Sequence, residues 1–179
     1  MIPYREEKIK NAAIYFTGEH RKRVKKPLYQ TYLYKYLAFL DFCSIREMGR
    51  PVLDLTYRAM DLGPVPLEVY EGKEKVTGCK FIQDEMGEQV VTNLKPDLDY
   101  FSDYEIELMK RLLDFYARKW VTARTMSDAT HEDILAWKRT PRNQEIDKEL
   151  EFEGDLSKKR KEDLTFPETV YLTHKVLSS

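Results

Sequence analysis

Ile9, Ala13 and Phe16 recur at helical spacing through residues 4 to 19, with charged residues between them, so the pattern predicts a first amphipathic helix. The run HRKRVKK (20–26) then reads as a solvated connection. Pro27 fits the first turn of a second helix, where its missing N–H is no loss. That second helix, about 28 to 46, carries Leu33, Leu37 and Leu40 on one line with Tyr36 and Phe39 beside it. Its apolar residues cover most of the circumference, which predicts burial on more than one side and a central place in the fold. Gly49 and Pro51 end it, and PVLDLTYRAM (51–60) reads as a short strand or extended crossing.

Next comes DLGPVPLEVYEG (61–72), with two prolines and two glycines in twelve residues. Gly63 permits a sharp turn, Pro64 and Pro66 suit the first turn of a helix over LEVYE, and Gly72 suits its end. Two β-type runs follow, KVTGCKFIQ (75–83) and EQVVTNL (88–94), around the turn sequence Asp84 to Gly87, so a hairpin is predicted. In FSDYEIELMKRLLDFYARKW, Ser102 and Glu105 have capping-box spacing. Ile106, Met109, Leu113, Tyr116 and Trp120 then descend one face of a helix. Residues 122–140 predict two shorter helical pieces with a break near Ala129 and Thr130, Thr130 capping the second. After Pro141 the chain is heavily charged: 143 to 152 read as helical, Gly154 as a stop, and Pro167 as the start of a last helix. The fold class expected is mainly α: a single helical domain over 1–140 with a small antiparallel β-hairpin, and a charged C-terminal extension over 141–179.

Composition narrows the function classes. Hydrophobic residues make up 42% and charged residues 34% of 179, enough for one core with a well-solvated surface. The formal net charge of −1 does not mark a nucleic-acid binder or a membrane-surface protein. Cys43 and Cys79 lack CxxC spacing and read most simply as two reduced, structural thiols, with a bridge between them left open. The N-terminus lacks an apolar signal-peptide core, and no apolar run reaches the ~20 residues that span a bilayer. The expected location is the cytoplasm, with no membrane partner.

Candidate chemistry is sparse. His131-Glu132 suggests a zinc helix, but position 135 is Leu where the second histidine belongs. Ser127, Asp128, His131 and Asp133 are neighbours in sequence, whereas triad members normally come from separate elements. Capping roles for Ser127 and Thr130 are the plainer reading. No G-x-G-x-x-G or G-x-x-x-x-G-K-[ST] occurs, and Pro64 and Pro66 have no N–H to offer a phosphate. No cofactor and no metal are expected. The dense basic run 20–26 leaves a DNA-binding regulator as an alternative, and a hydrolase using His131 as a weaker one. The 12 tyrosines fit either a core or a protein interface.

Three stretches together resemble a known family. LYKYLAFLDF (33–42) is similar to the LQKLLYYA-type helix of the Panacea domain, the SocA-like antitoxin family also found as phage-associated GepA-type proteins, with Lys35 on that motif's lysine. The span GRPV…TYRAMDLGPVPLEVYE (49–71) resembles its G-[KR]-P…F-x-A…Y-G-P-V-x-x-x-L-Y segment, with Tyr57, Gly63, Pro64 and Tyr70 in the pattern. SDATHEDILAWK (127–138) is similar to its L-S-x-x-T-H-x-x-x-x-x-W motif, with Thr130, His131 and Trp137 in place. Tyr34, Tyr36 and Leu62 depart from the pattern. The resemblance implies an α-helical domain with a small hairpin, no catalytic residues, and an antitoxin that binds and neutralises a toxin encoded beside it. It makes Lys35, Tyr57, Gly63, Pro64, Tyr70, Thr130, His131 and Trp137 structural or toxin-binding candidates. Within that scaffold Trp137 is expected to pack under the GPVP corner. Homo-oligomerisation is left open.

Overall fold

A computed structural model describes residues 2–119 and 121–178, without the side chains of Ala123, Ser127, Thr130, His131, Glu132 and Ser178. The architecture is mainly α, with seven α-helices and two small antiparallel sheets among the described residues.

Helix α2 (Gln30–Met48) is the axis of the fold. Leu33, Tyr36, Leu37, Phe39, Leu40 and Phe42 are all buried on it, as its near-continuous apolar circumference requires. Helix α1 (Arg5–Val24) packs along one side, stacking Phe16 on Tyr36 with centroids 4.7 Å apart. Helix α4 (Asp103–Tyr116) packs on another side, stacking Tyr116 on Phe39 at 4.8 Å. Each large side chain buried this way contributes about 1.5–3 kcal/mol. The expected capping box at α4 is present, with Ser102 accepting from Glu105 N and Glu105 Oε2 accepting from Ser102 N at 2.8 Å. Leu108 and Leu112 join Met109, Leu113 and Tyr116 in the core, while Ile106 is half-buried. The helix stops at Tyr116, and Trp120, expected on the same face, lies outside the described residues.

The basic run 20–26 is not a loop for most of its length. Helix α1 continues through it to Val24, because His20 and Val24 extend the buried line of Ile9, Ala13 and Phe16. Arg21, Lys22 and Arg23 then occupy the last turn, where the helix dipole favours cations. Pro27 does not start α2. It precedes a two-residue strand, β1 (Leu28–Tyr29), whose backbone pairs with a later strand.

The segment after α2 departs from expectation in an instructive way. Strand β2 (Tyr57–Met60) turns through Asp61 and Leu62 into strand β3 (Gly63–Pro66), so GPVP is a strand and not a helical turn. The prolines permit this because of register. Tyr57 and Ala59 direct their backbone groups to the other side of β2, bonding Ile146 and residues 143–144. Pro66 and Pro64 sit opposite those two residues, so the N–H each lacks would have pointed away from β2. Helix α3 (Leu67–Thr77) runs past Gly72 and ends at Gly78, with a kink at Lys73 (φ 34°) directly after Gly72. Residues 75–77 are therefore helical, and the second hairpin is shorter than expected. It consists of β4 (Lys80–Asp84) and β5 (Gly87–Val91), with Asp84 Oδ1 accepting from Met86 N and Gly87 N in the turn. The order in this sheet is β1-β5-β4.

Helix α5 (Ala123–Asp133) does not break at Ala129 and Thr130. The break comes at extended, fully buried Ile134, before α6 (Leu135–Arg139). The cap for α6 comes from far along the chain: Glu151 Oε2 accepts from Ala136 N at 3.0 Å. Residues 143–146 add to the outer edge of β2 rather than forming a helix. Asn143 N donates to Ala59 O at 2.7 Å, and Ile146 N to Tyr57 O at 2.8 Å. Short 3₁₀ turns at 148–151, 156–158 and 161–163 follow, then α7 (Phe166–Ser178). Ile146, Phe152, Leu156 and Tyr171 bring this charged segment into the core. Gly49 ends α2 at φ 73° with a Cβ position only 2.0 Å from Pro167 O, so both conformation and close packing on α7 require glycine there.

Candidate functional site

Asp41 is fully buried on α2, set between Leu40 and Phe42 of its apolar centre. Its oxygens accept from Leu53 N at 2.6 Å, Leu55 N at 3.1 Å and Asp54 N at 3.3 Å. Tyr57 Oη lies 3.0 Å from both Asp41 Oδ2 and Leu37 O. Burial raises the Asp41 pKa, and Lys148, the backbone donors and Tyr57 oppose that. This hub folds residues 51–56 back onto α2 and delivers the chain into β2.

Glu68, in the first turn of α3, extends the same organisation. It accepts from Thr56 N at 3.0 Å and from Arg5 at 2.7 Å, while Arg5 also donates to Asp54 O at 2.8 Å. The corner is closed from the other side by Trp137 of α6, whose Nε1 donates to Met60 O at 3.1 Å. The guanidinium of Arg142 lies 3.9 Å over the indole ring. Glu151 holds the α5–α6 break: beside its bond to Ala136, its Oε1 lies 3.1 Å from Arg46, which donates to Asp133 O at 2.8 Å. Burial pushes Glu151 up to about 7.

The candidate residues thus fall into distinct places. Tyr57, Gly63, Pro64 and Trp137 are buried parts of the corner, and Gly63 adopts φ 121° to close the turn. Lys35 is buried on α2, where burial lowers its pKa to about 8 and Asp128 of α5 opposes that fall. Tyr70 is half exposed on α3. The backbones of Thr130 and His131 are within α5, and their side chains lie outside the described residues. Sequence reasoning missed Asp41, Glu68 and Glu151. Asp41 had a visible signal, a carboxylate inside YLAFLDF. Glu151 had none, because its partner backbone is fifteen residues away in sequence.

Among the described residues no group of three or more His, Cys, Asp or Glu is placed to hold a metal ion. Cys43 and Cys79 are free thiols. A cavity of about 510 Å³ lies between the 51–56 loop and α7, lined by Asp54, Lys148, Tyr171 and His174 among others. Within it Lys148 already pairs with Asp54 at 2.5 Å. No helix among the described residues is long and apolar enough to cross a membrane.

The fold and its polar residues define a mainly α scaffold whose buried carboxylates hold its own backbone. Residues 33–138, more than half of the chain, match the family described as antitoxin SocA-like, Panacea domain, and the chain belongs to that family. Neither curated proteins nor solved structures gave a match. The matched region runs from α2 to α6 and so takes in the Asp41 hub, the corner and Trp137.

Proposed function

We propose that this chain is the antitoxin of a toxin–antitoxin pair and neutralises the toxin encoded beside it by direct protein–protein binding in the cytoplasm. The observation that carries this reading is the family match over 33–138, which coincides with the frame built on α2. Buried Asp41 and Glu151 and partly buried Glu68 each serve a backbone segment of the same chain, as expected of a rigid binding scaffold. Preorganisation of that kind lowers the cost of binding. Most of the motif candidates with described side chains act as frame, and Tyr70 is the one with a half-exposed ring free to contact a partner. The charged segment 141–179 completes the scaffold through the backbone bonds of 143–146 to β2 and its buried Phe152 and Tyr171.

Co-expression tests the reading. The product of the adjacent gene should arrest growth alone, and this chain should restore growth and copurify with it. A toxic neighbour that this chain neither relieves nor binds removes the antitoxin reading.

A further inference from the structure

Gly18 sits in the interior of α1, where glycine costs about 1 kcal/mol relative to alanine. Nothing among the described residues requires it: its φ is not positive, and a Cβ built on it would meet nothing within 4 Å. Beside it opens a groove of about 580 Å³, between α1 and residues 92–96. Its size falls in the range of ligand-binding clefts. Ile14, Tyr15 and Gly18 form one side, and exposed Leu94 with Pro96 forms the other. The opposing segment is fixed to α1 by Asp97 N donating to Asn11 Oδ1 at 2.8 Å.

The rim of this groove is basic on a chain of net charge −1. Arg21, Lys22, Lys25 and Lys95 line it against a single carboxylate, Glu19, which pairs with Lys22 at 2.6 Å. Arg21, Lys25 and Lys95 are exposed and have no ion-pair partner among the described residues. An apolar floor with an unforced glycine and a cationic rim fits a segment that carries apolar and acidic side chains together. A nucleic-acid backbone would use the rim and leave the floor empty. We infer that this groove receives an acidic, apolar-anchored segment of the toxin, with an apolar side chain packed over Gly18 and carboxylates on Arg21, Lys25 and Lys95. The inference rests on the antitoxin reading and adds the surface and the chemistry of the partner.

The test uses the full chain co-expressed with the product of the adjacent gene. Gly18→Phe, which fills the groove, and the surface pair Lys25→Glu with Lys95→Glu should each weaken the purified complex about tenfold or more, with loss of growth rescue. The wild-type affinity should fall as salt rises. Circular dichroism melts establish which variants remain folded, and if Gly18→Phe does not, the charge-reversal pair decides. Folded groove variants that neutralise as well as the wild type overturn the groove and leave the antitoxin reading standing. A wild type that fails to neutralise removes that reading, and the groove assignment with it. Low-salt binding of a duplex DNA probe that is lost in the same variants, with the toxin complex intact, overturns the peptide assignment in favour of nucleic acid.

Discussion

The GPVP corner and the α1 groove are both marked by residues that cost a regular structure something, and they differ in whether the chain itself accounts for them. At the corner, Pro64 and Pro66 occupy the positions of an edge strand where no N–H is needed. Gly63 has the φ of 121° that its turn demands, and Trp137 donates to Met60 O. Every unusual residue there has an internal reason. In the groove, Gly18 has neither a special φ nor a close neighbour, and three cations have no described ion-pair partner. Features that the fold explains report on the fold. Features that weaken it without internal compensation point outward to a partner. The corner also lies inside the family-matched residues, whereas α1 precedes them.

The largest effect should come from removing the hub beneath the corner. Asp41→Ala leaves the N–H groups of Leu53, Asp54 and Leu55 without their acceptor, two of them in a fully buried stretch. Each stranded buried donor costs about 1–3 kcal/mol, so the variant should lose about 3–5 kcal/mol of stability in urea denaturation. Asp41→Asn should fall between, since it keeps the shape and one acceptor oxygen. A midpoint for Asp41→Ala close to the wild type would mean that the corner does not depend on this hub and would weaken the contrast with the groove.

The pH dependence separates the two regions by sign. His20, on α1, is buried with Nδ1 2.9 Å from Tyr36 Oη, and burial pushes its pKa from 6.5 down to about 4. Its contribution to stability is present above pH 6.5 and is lost as pH falls towards 4. Glu151, which caps α6 near the corner, is pushed from 4.5 up to about 7. Its contribution is fully present below pH 4.5 and is lost as pH rises to 7. Each shift corresponds to about 3 kcal/mol at most, and the two oppose each other between pH 4.5 and 6.5. Relative to the wild type, His20→Gln should gain stability as pH falls through that window and Glu151→Gln should lose it. Urea midpoints measured from pH 4 to 8 check both. Parallel profiles for the two variants would show that neither group titrates as its burial requires.

Much of the frame could be read from the sequence, and the parts that could not share a physical cause. The apolar circumference of α2, the Ser102–Glu105 box and the Asp84–Gly87 turn are local signals, and all three appear where their residues are. GPVP reads as a helical turn in the sequence, and the register that lets its prolines sit in β3 shows only once β2 is paired, with Tyr57 and Ala59 bonded to 143–146 on its other edge. The break falls after Asp133, later than the local pattern suggests, and its cap Glu151 lies far along the chain. The end of α1 carries a local signal of both kinds: His20 and Val24 continue the spacing of Phe16, while the charges between them suggest a loop. The groove is the opposite case. The basic run was visible, yet only the folded chain sets Leu94 and Pro96 across from Gly18.

The smallest predicted effect is the one that most sharpens the comparison. Gly18→Ala should stabilise the protein by about 0.5–1 kcal/mol, because alanine gains helix propensity and restricts the unfolded chain while its methyl group meets open space. Gly49→Ala should do the reverse and destabilise by well over ~1 kcal/mol, since its φ of 73° is strained for alanine and its Cβ would collide with Pro167 O. The two substitutions are chemically identical, so opposite signs in thermal melts would separate a glycine kept by the fold from one the fold does not need. If Gly18→Ala were destabilising, α1 would hold an internal reason for that glycine, and the groove would lose the feature that sets it apart from the corner.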